Sequence, residues 1–230
     1  MNNSRFEAID EVIMKEIITG GISYITRVPR DSNEWYYGIS REYGDLYEAE
    51  EIYRGGRALK GNEMCLIHYP DGEIYRPLTR ETNVCLESPI LLNESVYFLR
   101  IDFAKGSIRI LRFDCRCHDT GLVAEIPLRT VKNCYNLRLH TAPLTLTRQG
   151  DEGVFEVIWP ERSSFQMDPH ESFFLRDGDR FYFNKWFEEG DGESYRYWEE
   201  TVVHGLDGTL IEEMDGDIQT MPNGELWHIR

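Results

Sequence analysis

Two hydrophobic periods divide the chain. Over residues 4–18, "SRFEAIDEVIMKEII", Phe6, Ile9, Ile13 and Ile17 recur at spacings of three and four, which places them on one stripe of a helix. Ser4 followed by Glu7 has capping-box spacing, and Gly20-Gly21 supplies a stop. This pattern predicts an N-terminal amphipathic helix within residues 1–20, laid over the edge or end of a sheet. After Gly21 the period becomes two. "GISYITRV", "EWYYGIS", "GDLYEAEEIYR" and "EMCLIHY" read as short strands rich in Tyr, Ile and Val, set apart by Gly, Asp, Asn and Pro. Turn signals recur: "PDGE" at 70–73, "AKGS" at 104–107, "RDGD" at 176–179, "LDGT" at 206–209 and "PNGE" at 222–225. The Asp-Gly and Asn-Gly pairs among them are strong hairpin signals, because both central residues of a type I′ turn need positive φ. Residues 21–230 therefore read as one all-β domain of antiparallel hairpins in series.

The stretch from Ser88 to Asp114 is the clearest of these. "SPILL", "SVYFLRIDF" and "SIRILRFD", followed by "LVAEIPL" at 122–128, give four short strands in succession. Such a meander resembles one blade of a β-propeller, in which four-stranded sheets stack around a central axis. Residues 171–229 follow suit, with "DRFYFNKWF", "SYRYWEETVV", "GTLIEEM" and "GELWHI" as strands. "ESVYFLRID" at 94–102 and "ESFFLRD" at 171–177 also echo one another. No WD dipeptide, kelch Gly-Gly pair or sialidase-type Asp box occurs, so the resemblance is to an architecture and names no family. At about 45 residues per blade the length holds five blades. A β-sandwich or barrel built from a long meander is the competing fold.

Composition narrows the partners. The 41 Asp and Glu outnumber 25 Lys and Arg, for a formal charge of −16. Such a surface repels phosphate backbones and anionic headgroups, which argues against nucleic acid and membranes and leaves proteins, sugars or cations. The N-terminus lacks the pattern of a signal peptide. Cys65, Cys85, Cys115, Cys117 and Cys134 are odd in number and without framework spacing. Both features predict free thiols in a cytoplasmic protein.

The search for chemistry mostly excludes. No G-x-S-x-G, P-loop or G-x-G-x-x-G appears, so serine-hydrolase, NTPase and dinucleotide readings lack local support. "HESFF" at 170–174 begins like a zinc-protease motif, but Phe174 stands where a second His is needed. "CRCHD" at 115–119 gathers soft ligands without a second pair. In "EGDGESYRYWEE", Glu189, Asp191, Glu193 and Glu200 fit calcium-loop positions, but Ser194 replaces the glycine of the sharp turn. No metal and no cofactor is expected.

Aromatic residues offer the remaining lead. In "DRFYFNKWFEE", alternation puts Phe181, Phe183 and Phe187 on one face and Tyr182, Asn184 and Trp186 on the other. The second set combines ring planes with hydrogen-bonding groups, as sugar-binding clefts do. Tyr182, Asn184, Trp186 and Trp198 are the candidate ligand-binding residues, with Tyr197 and Trp159 as additions. The same rings would equally serve a strand buried on both faces. The sequence thus predicts a binding or scaffold protein that recognises a protein or small polar ligand through loops at one end of its sheets. The alternative is a carbohydrate-active protein, glycan-binding or glycosidase-like. Glycoside hydrolysis needs two carboxylates roughly 5–5.5 or 6.5–9.5 Å apart, and the sequence does not name that pair.

Overall fold

Strands Val84–Leu92 (β5), Ser95–Asp102 (β6), Ser107–Asp114 (β7) and Thr120–Pro127 (β8) form the meander expected from the Ser88–Asp114 stretch. Alternation sends Val96, Phe98, Leu111 and Phe113 to one side, and Leu99, Ile101, Ile108 and Ile110 to the other. Both faces are buried, which explains why β6 and β7 read as near-continuous hydrophobic runs. The computed structural model describes residues 14–29, 33–150, 152–221 and 225–230.

Three more four-stranded antiparallel meanders flank this one. The first sheet holds Thr26–Arg27 (β1), Trp35–Ser40 (β2), Glu63–His68 (β3) and Ile74–Tyr75 (β4). The third holds Leu137–His140 (β9), Thr145–Gln149 (β10), Val154–Trp159 (β11) and Ser163–Gln166 (β12). The fourth holds Glu171–Asp177 (β13), Arg180–Glu189 (β14), Arg196–Gly205 (β15) and Leu210–Asp215 (β16). Asp217–Thr220 (β17) and Leu226–Ile229 (β18) pair as a fifth, two-stranded ribbon.

Each meander packs on the next. Val28, Trp35, Met64 and Leu66 of the first sheet region join the outer set of the second sheet in one core cluster. Its other set meets Leu137, Leu139, Leu146 and Ile158 of the third sheet. Phe155 and Val157 then meet Phe181 and Phe183 of the fourth. Successive four-stranded meanders stacked face to face make the architecture propeller-like. The outer face of the first sheet is covered by Ile22 with Ile17 and Ile25. Gly38 permits that close approach, since a Cβ there would lie 2.5 Å from the side chains of both Ile22 and Ile25.

Four turn signals carry the expected left-handed glycine: Gly72, Gly106, Gly178 and Gly208 have φ between 56° and 82°. The turn at 222–225 lies largely outside the described residues. The tight β5–β6 turn instead uses Asn93 and Glu94, at φ 48° and 57°. Glu94 has no glycine's freedom, but its carboxylate pairs with Arg116 and its carbonyl accepts Cys115 N at 3.1 Å.

Several expectations need correction. "GDLYEAEEIYR" is not a strand: Leu46–Arg54 (α1) is the α-helix among the described residues. Asp45 caps it by accepting Glu48 N at 2.8 Å, and Leu46, Ala49 and Glu50 are its buried face. Residues 4–13 of the expected N-terminal helix lie outside the described residues, and 14–18 carry no helix. The echoing segments hold different places, one as the second strand of its sheet and the other as the first. "GELWHI" pairs in the ribbon, not in the fourth sheet. No helix among the described residues is long and apolar enough to cross a membrane.

Candidate functional site

The first strands of three successive meanders, β5, β9 and β13, converge on a cleft closed by the first sheet and the start of α1. Its volume is about 490 Å³. Local sequence shapes one wall. Within β5, "ESPI" breaks the ladder: the β5–β6 register shifts between Glu87 and Ile90, and Ser88 adopts φ 55°. Pro89 donates no hydrogen bond, so it is tolerated at such a bulge, and bulges commonly re-aim side chains beside functional sites. Ser88 Oγ accepts Leu139 N at 3.0 Å, tying β5 to β9 across the cleft.

The bulge leaves Glu87 in the cleft wall, only 8% exposed. One carboxylate oxygen accepts Arg41 Nη2 at 2.6 Å, and the other is buried without a partner. Burial pushes this carboxyl above its usual range, with the Arg41 guanidinium acting against it. Burial likewise raises the phenol of Tyr37, which lines the same cleft near Arg41, Glu87 and Arg138.

The opposite wall is held from outside. Arg148, fully buried, donates Nε to the Asn133 carbonyl at 3.1 Å and Nη2 to the Asn133 side chain at 2.9 Å. Its Nη1 donates to Glu156 at 2.6 Å. The buried carboxylate of Glu50, on α1, accepts Cys134 N at 2.6 Å and pairs with Arg54. These groups fix residues 133–139 as they enter β9. On that strand Leu137 and Leu139 point into the core, while Arg138 is exposed on the cleft. Among the described residues the Arg138 side chain makes no hydrogen bond or ion pair. A chain of charge −16 thus keeps an uncommitted guanidinium beside Arg41.

The cleft holds a second carboxylate, Asp45, which adds to the upward push on Glu87. A glycosidase-like pair would need both groups presented to substrate. Glu87 instead has one oxygen sealed and one on Arg41, and Asp45 caps α1. The arrangement gathers two guanidinium groups, a phenol and a buried carboxyl around one concavity.

The four sequence candidates lie elsewhere, on the fourth sheet. Tyr182, Asn184 and Trp186 share a face, as alternation predicts, and Tyr197 joins them opposite Glu188. Trp198 pairs with Phe187 on the other face, its ring stacked at 5.1 Å. Trp159 packs against the core between the second and third sheets. Asn184 Nδ2 donates to Glu199 at 2.9 Å, and the Tyr197 hydroxyl donates to the same carboxylate, whose pKa these two bonds lower. Trp186 is 36% exposed, with His170 edge-on at 4.4 Å. The rings and Asn184 were legible from alternation, the Glu199 beside them was not, and neither was the cleft, because its walls come from positions 29 to 174.

The soft-ligand and acidic motifs resolve into local structure. Cys115 packs against the core between the first two sheets, Cys117 is exposed, and the His118 ring lies 4.1 Å from Tyr75. All five cysteines are free, and Cys65, Cys85 and Cys134 are buried. In the 189–200 loop, Asp191 and Ser194 cap each other around the short Gly192–Ser194 turn. Among the described residues no three His, Cys, Asp or Glu side chains gather as a metal would require.

No family model matches the chain, and no curated protein matches it. Among solved structures it is similar to the β-propeller domain of the Trilobed protease from Pyrococcus furiosus, described as having an open velcro topology. The identity is 13% and the TM-score 0.42, over 82% of this chain and 56% of that one. The chain thus spans little more than half the length of that structure.

Proposed function

We propose that the chain is a binding module whose cleft takes a small polar ligand bearing an anionic group, a carboxylate or a phosphate. Arg138 carries this reading: it is an exposed, uncommitted guanidinium at a 490 Å³ concavity in a strongly acidic chain. Arginine presents a fork of donors matched to such anions, and a charge-assisted hydrogen bond contributes about 1.5–3 kcal/mol. Arg41, held by Glu87, supplies a second positive end of fixed orientation. The Tyr37 hydroxyl and Asn136 side chain, also on the cleft, suit the ligand's hydroxyl or carbonyl groups. The Arg41–Glu87 pair gives the site its preference, since the buried carboxylate repels ligands of uniformly negative surface.

A thermal-shift screen tests this with three sets of small molecules: hydroxy-carboxylates, sugar phosphates and neutral sugars. The anionic sets should raise the melting temperature. Ligand at about 100 times its Kd adds roughly 2.7 kcal/mol. Stabilisation by neutral sugars alone would replace this reading with the glycan one, and stabilisation by none would remove the cleft as a site.

A further inference from the structure

The β14–β15 hairpin carries a second surface, separate from the cleft and independent of the reading above. Its cross-strand register sets Trp186 opposite Glu199 and Glu188 opposite Tyr197, so rings and carboxylates alternate as on a checkerboard. Tyr195 extends the pattern, with its hydroxyl bonded to Glu188. Tyr195 and Tyr197 are each 51% exposed. The carboxylates hold the rings by their hydroxyls, so the aromatic planes are oriented before any partner arrives.

The opposite face of the same hairpin shows what such rings accept. There Lys185 lies over the Phe187 ring at 5.5 Å and pairs with Asp168 at 3.2 Å. The chain fills that face with its own cation. On the Trp186–Tyr197 face no cation–π contact occurs among the described residues, and the His170 ring that lies edge-on to Trp186 is already engaged by Asp168. The surrounding charge points the same way. Residues 186–217 hold eleven Asp and Glu against a single Arg and no Lys.

We infer that this face docks a basic, Lys- or Arg-bearing peptide segment of a partner protein. A guanidinium or ammonium can lie on Trp186 or Tyr197 and meet Glu188 or Glu199 at its edge, combining cation–π attraction with a charge-assisted hydrogen bond. The acidic field steers such a partner and gives a neutral sugar nothing, which favours a cationic peptide over a glycan. Tyr, Trp and Arg are also the residues that dominate interface hot spots.

Calorimetric titration of the full chain tests the proposal with three probes: a short peptide alternating Arg with Gly and Ser, its Glu-for-Arg counterpart, and a linear glucan oligosaccharide. Only the Arg peptide should bind, and its affinity should fall about tenfold or more as salt rises from about 50 to about 300 mM. The double change Trp186→Ala with Tyr197→Ala should weaken binding at least tenfold. In case those truncations disturb the sheet, Glu188→Gln with Glu199→Gln should weaken it while keeping the rings. Glu200→Gln with Glu213→Gln removes the same charge from the opposite face and should leave binding within about twofold. Equal loss in both acid pairs would show a diffuse charge effect and overturn the proposal. Binding of the oligosaccharide in place of the peptide, or no binding at all, would overturn it too.

Discussion

The cleft and the hairpin bring charge and aromatic groups together by opposite means. In the cleft the walls are anchored from behind: Arg148 and Glu50 hold one, the β5 bulge the other, and the Arg138 guanidinium is left without a partner among the described residues. On the hairpin nothing lies behind the rings except the sheet, and orientation comes from carboxylates two positions away on the same strand or across it. The first site is part of the folding unit, so damage to it should register as lost stability. The second is an addition to the surface, so damage to it should register only as lost binding.

The largest expected effect is at Arg148. Replacing it with Met leaves the buried Asn133 side chain and the half-buried Glu156 without their partner. Urea unfolding should show a loss of about 3–5 kcal/mol, the usual result of breaking a buried pair from one side. A loss under about 1 kcal/mol would mean the cleft wall stands without it. Phe183 and Trp186 make a matched test, three residues apart on β14 and on opposite faces. Phe183 is fully buried, with rings of Phe155, Phe173 and His204 within 5.4 Å. Phe183→Ala should cost about 3–5 kcal/mol and Trp186→Ala less than about 1 kcal/mol, measured by the same unfolding curves. Equal costs would place Trp186 in the core and end its role as a docking ring.

The next effect is on pH dependence, and the two regions should titrate in different windows. Burial raises Glu87 above 4.5, so its ionisation costs stability. That cost is absent at low pH and grows as pH rises from about 4.5 through the raised value. In the fourth sheet, His204 lies between two acceptors, with Nε2 3.2 Å from the Glu171 carboxylate and Nδ1 3.1 Å from the Gly208 carbonyl, a setting that favours the imidazolium. Its pKa is raised, mainly by the Glu171 bond. The stability this adds is complete below about pH 6.5 and is lost as pH rises through the raised value. Melting temperature followed against pH should therefore decline in two stages. Glu87→Gln should flatten the lower stage and His204→Gln the upper.

How much of this could be read from sequence differs between the same two regions. The second meander was legible strand by strand and the fourth in its middle strands, because alternating Val, Ile, Phe and Tyr run between turns whose glycines mostly adopt positive φ. The first strand of the fourth was missed, and "GELWHI" was wrongly added to it. The hairpin's aromatic face followed directly, since period two fixes which side chains share a side. Helix α1 was misread through its Tyr, Leu and Ile, although Asp45 and Glu48 have capping spacing and Gly55-Gly56 follows. Leu46, Ala49, Glu50 and Tyr53 also recur at helical intervals. The turn at Asn93-Glu94 lacked its glycine, and Arg116 compensates from the following hairpin end. The cleft carried almost no signal. Arg41, Glu87 and Arg138 are distant in sequence and ordinary in context. Only "ESPI", a proline inside an otherwise strand-like run, marked a place where the ladder had to open.

The most direct test of the cleft is a calorimetric titration of the best anionic ligand from the screen into the native chain and into Arg138→Ala. Arg138 has no partner to leave behind, so the variant without ligand should melt within about 1 °C of the native chain, as surface substitutions usually do. Its Kd should rise at least tenfold, equivalent to about 1.4 kcal/mol. An unchanged Kd with an unchanged melting temperature would contradict the assignment of this cleft as the anion site.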